Sequence, residues 1–332
     1  MQYGFSIKRK CYLLSVLLMT VWLTGCVQEE LGSTPSPAGN GIRFTLTVPD
    51  VNLPSVSSRT MTGTGTAKKE DEIETVDILV FDMSKTPAVY LEWVSATGVT
   101  QDLADNSTVS FSAVLSPTTA STCIVVVANK ELDNIVSGFM KGTTTKVEAM
   151  EKMLHTQTGK WLADGSTTDG YTRIPMYGEK VISKITPSMD PITGINMKRM
   201  LARIDIRNNS ATSNFTVEEV YLANYNTTGY IAPAWNTNGQ VTDPAPDTPV
   251  LPVNSGKMTE EGDAILYSVN GNTPYDGEIY TFESLAAEDA GGVGQDGEAS
   301  RKNATCLIVK GRIGTGESTS VSYTHLRAHE TS

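Results

Sequence analysis

The sequence predicts a mainly β protein assembled from β-sandwiches. Three observations lead there. Thr supplies about one residue in eight, and Thr and Val at that level favour the pleated, half-buried surface of a strand. Short apolar runs, either alternating or continuous, recur along the chain and are separated by Gly, Pro, Asn and Asp clusters. Helix-start chemistry is convincing at a single place, around Thr145. No repeat of fixed period is visible.

The elements follow in order. In residues 42–48 (IRFTLTV), Ile42, Phe44, Leu46 and Val48 alternate with polar neighbours, the period of two expected of a half-buried strand, and Pro49 stops it. Residues 49–71 are a polar loop without periodicity. Residues 73–82 (IETVDILVFD) form a second strand, whose unbroken VDILVF centre predicts burial on both faces. A weaker strand covers 90–94. Residues 109–115 (VSFSAVL) alternate again, and 123–128 (CIVVVA) read as a buried strand ended by Asn129-Lys130. Ile135, Val136 and Phe139 suggest a short helical turn. Thr145 and Glu148 then have the capping-box spacing, in which hydroxyl and carboxylate satisfy orphan N–H groups reciprocally. Val147, Met150, Met153 and Leu154 give that helix an apolar stripe, so the two Met are core filling rather than metal ligands. Residues 157–172 are polar loop, and 175–179 (PMYGE) are expected to turn into a strand over 180–185. Residues 195–208 (INMKRMLARIDIRN) are ambiguous by period, with strand favoured over 201–207 because Ile204 and Ile206 alternate with charged residues. Further strands are expected over 215–223, 278–283 and 305–313, with connections over 236–260 and 284–303.

Composition narrows the function. A chain of 332 residues suggests about two domains, at roughly 150 residues each. It carries 26 Lys+Arg against 37 Asp+Glu, a net charge of -11, and no basic patch. Such a chain repels nucleic acid. Hydrophobic residues at 39% and aromatics at 7% supply cores but not a membrane bundle. Three His residues leave little for His-based catalysis or metal binding, and no cofactor is expected.

The N-terminus reads as an address. Lys8, Arg9 and Lys10 precede an apolar run from Cys11 to Trp22, too short for a spanning helix of about 20 residues but fitting a secretory signal over 1–25. Leu23-Thr24-Gly25-Cys26 follows at once and resembles a bacterial lipobox, so Cys26 is the expected acylated residue, carrying palmitate-type lipid. Such a protein is anchored to a membrane and does not span it. Gln28-Glu29-Glu30 resembles a surface-export signal, and the Pro/Gly/Ser-rich residues 26–41 form a tether. Of the remaining cysteines, Cys123 and Cys306 lie in β-branched apolar runs and are read as buried, unbridged thiols; a bridge between them would join distant segments.

No constellation of an enzyme emerges. The glycines at 291–294 and 314–316 lack the Lys-Ser/Thr pair and following helix of a phosphate loop. Asp164 to Gly170 lacks EF-hand spacing. Acidic pairs such as Glu218-Glu219, Glu260-Glu261 and Glu288-Asp289 are what an acidic chain supplies by chance. His155, at the end of the capped helix, is expected to complement its terminal carbonyls.

Several segments together resemble the Bacteroidales fimbrillins, lipoprotein-derived subunits of type V pili. They are the lipobox at Cys26, the strand 42–48 followed by Ser58-Arg59-Thr60, VDILVFD (76–82), CIVVVANK (123–130), PMYGE (175–179), MKRMLARIDIRN (197–208), IYTFES (279–284) and ATCLIVKGRI (304–313). Order and spacing over most of the chain carry the resemblance. It implies two tandem transthyretin-like β-sandwich domains, 42–197 and 198–319, the second incomplete. It also implies a precursor lipidated at Cys26, located at the cell outer membrane, surface-exposed, and assembled into a fimbrium with other subunits for adhesion and biofilm formation. Arg59 would be the proteolytic processing site, with Arg43, Lys68 and Lys69 the other basic positions open to a protease. Ile42, Phe44, Leu46 and Val48 would belong to the displaced strand, whose four buried side chains are worth about 6–12 kcal/mol at about 1.5–3 each. The alternative is a surface lipoprotein that binds host glycan or protein without polymerising, through YLANYNTTGY (221–230) and Trp235. Residues 320–332 depart from the family pattern, lack strand alternation and resemble sequencing-adaptor read-through. The natural gene is therefore expected to continue differently from about residue 320.

Overall fold

The computed structural model describes residues 42–48, 71–101, 108–162, 172–206, 214–241, 250–253, 256, 261–268, 275–284, 304–314 and 318–324. Residues 1–41 with the expected signal and Cys26, residues 49–70 with Arg59, Lys68 and Lys69, and residues 325–332 lie outside the described residues.

The protein is mainly β. Strand β1 (Ile42–Thr47) begins the described chain. Then come β2 (Val76–Asp82), β3 (Val89–Ser95), β4 (Thr97–Gln101), β5 (Thr108–Ala113) and β6 (Thr122–Ala128). Two short helices follow, α1 (Asp133–Val136) and α2 (Lys146–Lys152). After them come β7 (Leu154–Thr156), β8 (Met176–Ile182), β9 (Ile192–Asn196) and β10 (Lys198–Arg199).

Two sheets, ordered β4-β5-β1-β9 and β10-β8-β6-β2-β3, face each other. Their inner core holds Phe44, Leu46, Val109 and Phe111 from the first, and Ile78, Val80, Ile124 and Val126 from the second. The alternation read in residues 42–48 and 109–115 is the signature of the first sheet, buried on one face only. In the second sheet, β2 and β6 are buried on both faces: Leu79, Phe81, Val125 and Val127 point the other way, into a core capped by Met150 and Met153. Two cores explain the continuous apolar runs. Helix α2 starts as its capping box requires, with Glu148 N donating to Thr145 Oγ1 at 3.2 Å and Thr145 N to Glu148 Oε2 at 2.8 Å.

The remaining strands are β11 (Leu201–Ile206), β12 (Phe215–Ala223), β13 (Thr228–Tyr230), β14 (Ile265–Ser268), β15 (Tyr275–Phe282), β16 (Cys306–Ile313) and β17 (Ser318–Thr324). They form a β14-β12-β16-β17 sheet, a β11-β15 pair and a β13-β7 pair. A third core lies among Val217, Val220, Leu222, Tyr267, Ile279 and Val309. The second core is shared: Met200, Leu201, Ile231, Tyr280 and Phe282 pack with Leu79 and Val125.

Three local expectations are corrected. Residues 176–179 are the first half of β8 rather than a turn, because Gly178 must pass where β9 runs close by. A Cβ there would lie 2.7 Å from Met197 Sδ and 3.0 Å from Asn196 O. His155 is not a helix-end cation. It belongs to β7, with its ring 5.0 Å from that of Trp161, and burial together with Lys130 pushes its pKa down to about 4. Residues 318–324 are not without strand structure: β17 pairs antiparallel along β16 from Ser318 opposite Arg312 to Thr324 opposite Cys306. Cys123 and Cys306 are buried and form no disulfide.

Candidate functional site: the first strand and its groove

Strand β1 is an interior strand. It pairs antiparallel with β5, Ile42 opposite Ala113, Phe44 opposite Phe111 and Leu46 opposite Val109. On its other side it pairs parallel with β9, Phe44 opposite Ile192 and Leu46 opposite Ile195. The alternating residues all point into the core: Ile42 is 4% exposed, Phe44 1%, Leu46 0% and Val48 1%. Phe44 stacks on Phe111 with ring centroids 5.0 Å apart and planes 8° from parallel, within the range aromatic pairs prefer. Arg43 is an exposed residue inside β1, opposite Ser112.

The pairing with β9 carries a bulge. Two residues of β1 span three of β9, and Gly194, at φ +70, takes the left-handed conformation that the extra residue requires. The Lys180 ammonium donates to the Thr193 carbonyl beside it. The bulge kinks β9, the outermost strand of its sheet, and so discourages a further strand from adding there. At the border of the second sheet, residues 142–146 cover β3, with Tyr90 N donating to Thr144 O at 2.8 Å and Lys146 N to Ala88 O at 2.8 Å.

Residues 71–74 are held under tight restraint. Asn129, at φ 58, donates from Nδ2 to Glu72 O at 2.7 Å and to Ile174 O at 3.0 Å, and accepts Glu74 N at 3.0 Å. Gln101 accepts Ile73 N at 3.0 Å and donates to Asp71 O at 2.7 Å. Arg199 pairs with Asp71, and Arg173 with Glu72 at 3.2 Å and Glu74 at 2.8 Å. Strand β1 and residues 71–74 are thus held by separate sets of hydrogen bonds, although both contribute to one core. From sequence, Asn129 is expected only to end a strand; the signal for its wider role was the residue type, since Asn tolerates the left-handed conformation found here.

Residues 42–199 match the family described as major fimbrial subunit protein (FimA). This segment belongs to that family. The match covers just under half of the chain and points to a structural fimbrial subunit rather than an enzyme. No curated protein is significantly similar to it. Among solved structures, a fimbrial assembly protein from Parabacteroides distasonis is 12% identical, with TM-score 0.39 and coverage of 86% of each chain. The tip fimbrial protein Mfa3 from Porphyromonas gingivalis, C-terminally truncated, is 16% identical, with TM-score 0.41 and coverage of 87% of this chain and 84% of that one. No residue role is transferred from likenesses this distant. Among the described residues, no group of three or more His, Cys, Asp or Glu side chains is placed to hold a metal, and no helix is long and apolar enough to cross a membrane.

Proposed function

We propose that this fimbrial subunit is exported as a precursor lipidated at Cys26 and is assembled by strand exchange after proteolysis at Arg59, supporting adhesion and biofilm formation from the outer-membrane surface. The observation that carries this reading is the interior position of β1 at the very start of the described fold. A cut between residues 48 and 71 leaves β1 attached only by its own pairing and packing, while Asn129 and Gln101 keep residue 71 onward in place. Departure of β1 strands the facing edges of β5 and β9, and unpaired buried backbone groups cost about 1–3 kcal/mol each. An extended segment from another subunit relieves that cost by pairing on both sides, the β-augmentation mode. The division into domains 42–197 and 198–319 belongs to the same proposal, with the groove in the first.

Low-dose trypsin on the full chain tests it. The expected result is a cut between residues 48 and 71, at Arg59 first, followed by ladders that resist SDS, both lost when Arg59, Lys68 and Lys69 are all replaced by Ala. Clean trimming with a persistent monomer would refute strand exchange and favour the non-polymerising surface binder.

A further inference from the structure

Given that strand-exchange reading, we infer that the slot left by Phe44 is the specificity determinant of the groove, and that it selects an incoming strand carrying an aromatic ring flanked two residues away on each side by aliphatic side chains. The partner is an extended segment of that chemistry, from a second copy of this chain or from another subunit.

The slots along β1 are unequal. Ile42 faces Ala113 and Leu46 faces Val109, so those places are walled by small or medium aliphatic groups that can settle around several residues. Phe44 is opposed by another large ring. The two rings are nearly parallel at 5.0 Å, with Phe44 1% and Phe111 3% exposed. The other neighbour is Ile192 of β9. Loss of Phe44 therefore opens a ring-sized void with a flat wall, Phe111, in the middle of the inner core. A close-packed interior does not collapse around a void of that size, and the cost of leaving it unfilled grows with its volume. A strand with Ala there pairs its backbone equally well but leaves the void. Leu fills part of the volume and meets the flat wall poorly.

Register is fixed as well. The bulge at Gly194 admits two residues against three at one place only, and a slip by one residue would turn every apolar side chain outward. The ring must therefore sit opposite Phe111, not merely somewhere in the strand. The requirement concerns spacing on one face, so it holds for either direction of the incoming strand.

The test uses the full chain nicked with trypsin and incubated in mild urea with fluorescent peptides IRFTLTV, IRLTLTV and IRATLTV. Retained label is read after gel filtration. The expected result is retention of the Phe peptide, with the Ala peptide weaker by about 100-fold or more, as a buried Phe→Ala change implies. The Leu peptide should fall between, and Phe111→Leu should narrow the Phe-over-Leu preference. Equal retention of the Phe and Ala peptides overturns the selectivity and leaves strand exchange standing. Retention of no peptide overturns both.

Discussion

The Lys146 ammonium lies 2.6 Å from Glu179 Oε2, and the Lys146 side chain is 1% exposed. The same carboxylate oxygen accepts the Tyr177 hydroxyl at 2.5 Å. Tyr177 is held well above its usual pKa, first by burial and then by Glu179. Gly239, at φ +75, closes over the lysine so tightly that a Cβ there would lie 3.2 Å from Lys146 Cβ. The two partners differ in what they lose. Glu179 is 19% exposed and keeps Tyr177 if Lys146 goes, whereas Lys146 has no comparable contact with water if Glu179 goes.

Glu179→Gln is therefore expected to destabilise by about 3 kcal/mol or more, the cost of a buried charge without its counter-charge. Lys146→Met, which removes the charge and keeps the stem, should cost about half as much. Urea unfolding of both variants checks the order, and the reverse order would refute the account.

Asn129→Ala should be among the more damaging single changes outside the cores. It orphans Glu74 N and two carbonyls, and it places a β-carbon residue at φ 58, a conformation costing about 1–2 kcal/mol. A loss of about 3 kcal/mol is expected. Hydrogen exchange should quicken at residues 72–76 before it does in β6. Asn129→Gly, which relieves only the backbone cost, should recover part of the stability and none of the protection.

These two sites show what a linear sequence could and could not convey. Strands β1, β2, β5 and β6 were legible because burial on one or two faces dictates an alternating or continuous apolar pattern. The shared burial of Ile42, Phe44, Leu46 and Val48 on one face was legible to the same extent. Strand β9 was missed because Gly194 interrupts its pattern at the bulge. At the start of β8, Pro175 and Gly178 predict a turn because they normally punctuate chains, whereas here Gly178 makes room for Met197 and Asn196. Lys146 and Glu179 are partners across sheet and helix at a separation of 33 residues, and no local pattern announces such a pair.

His155 makes stability depend on pH. Its folded pKa of about 4 lies below the ordinary value of 6.5, so the unfolded chain binds the proton more readily. The contribution of neutral His155 is present in full above 6.5 and is lost as pH falls from there toward 4. The ring is packed against Trp161 and Phe282, and among the described residues its Nδ1 has no hydrogen-bond partner, so its burial opposes protonation. Across that window the loss should approach about 3 kcal/mol. His155→Gln should flatten the dependence of unfolding free energy between pH 6.5 and pH 4; an unchanged slope would assign it to other groups.

Gly178→Ala tests how firmly β9 holds β1. The added methyl would fall 2.8 Å from Ile195 Cγ2 and 3.0 Å from Asn196 O, so backbone as well as side chain must yield. Overpacking of this kind costs about 1–3 kcal/mol. The strain lands on residues paired with β1, since Leu46 lies opposite Ile195 and Thr47 opposite Asn196, and Thr47 O accepts Met197 N at 2.9 Å. The variant is expected to be less stable when intact and, once nicked between residues 48 and 71, to lose β1 faster than the parent. Dissociation of the labelled N-terminal fragment measures this directly. Lower stability with an unchanged release rate would mean that β5 alone retains the strand.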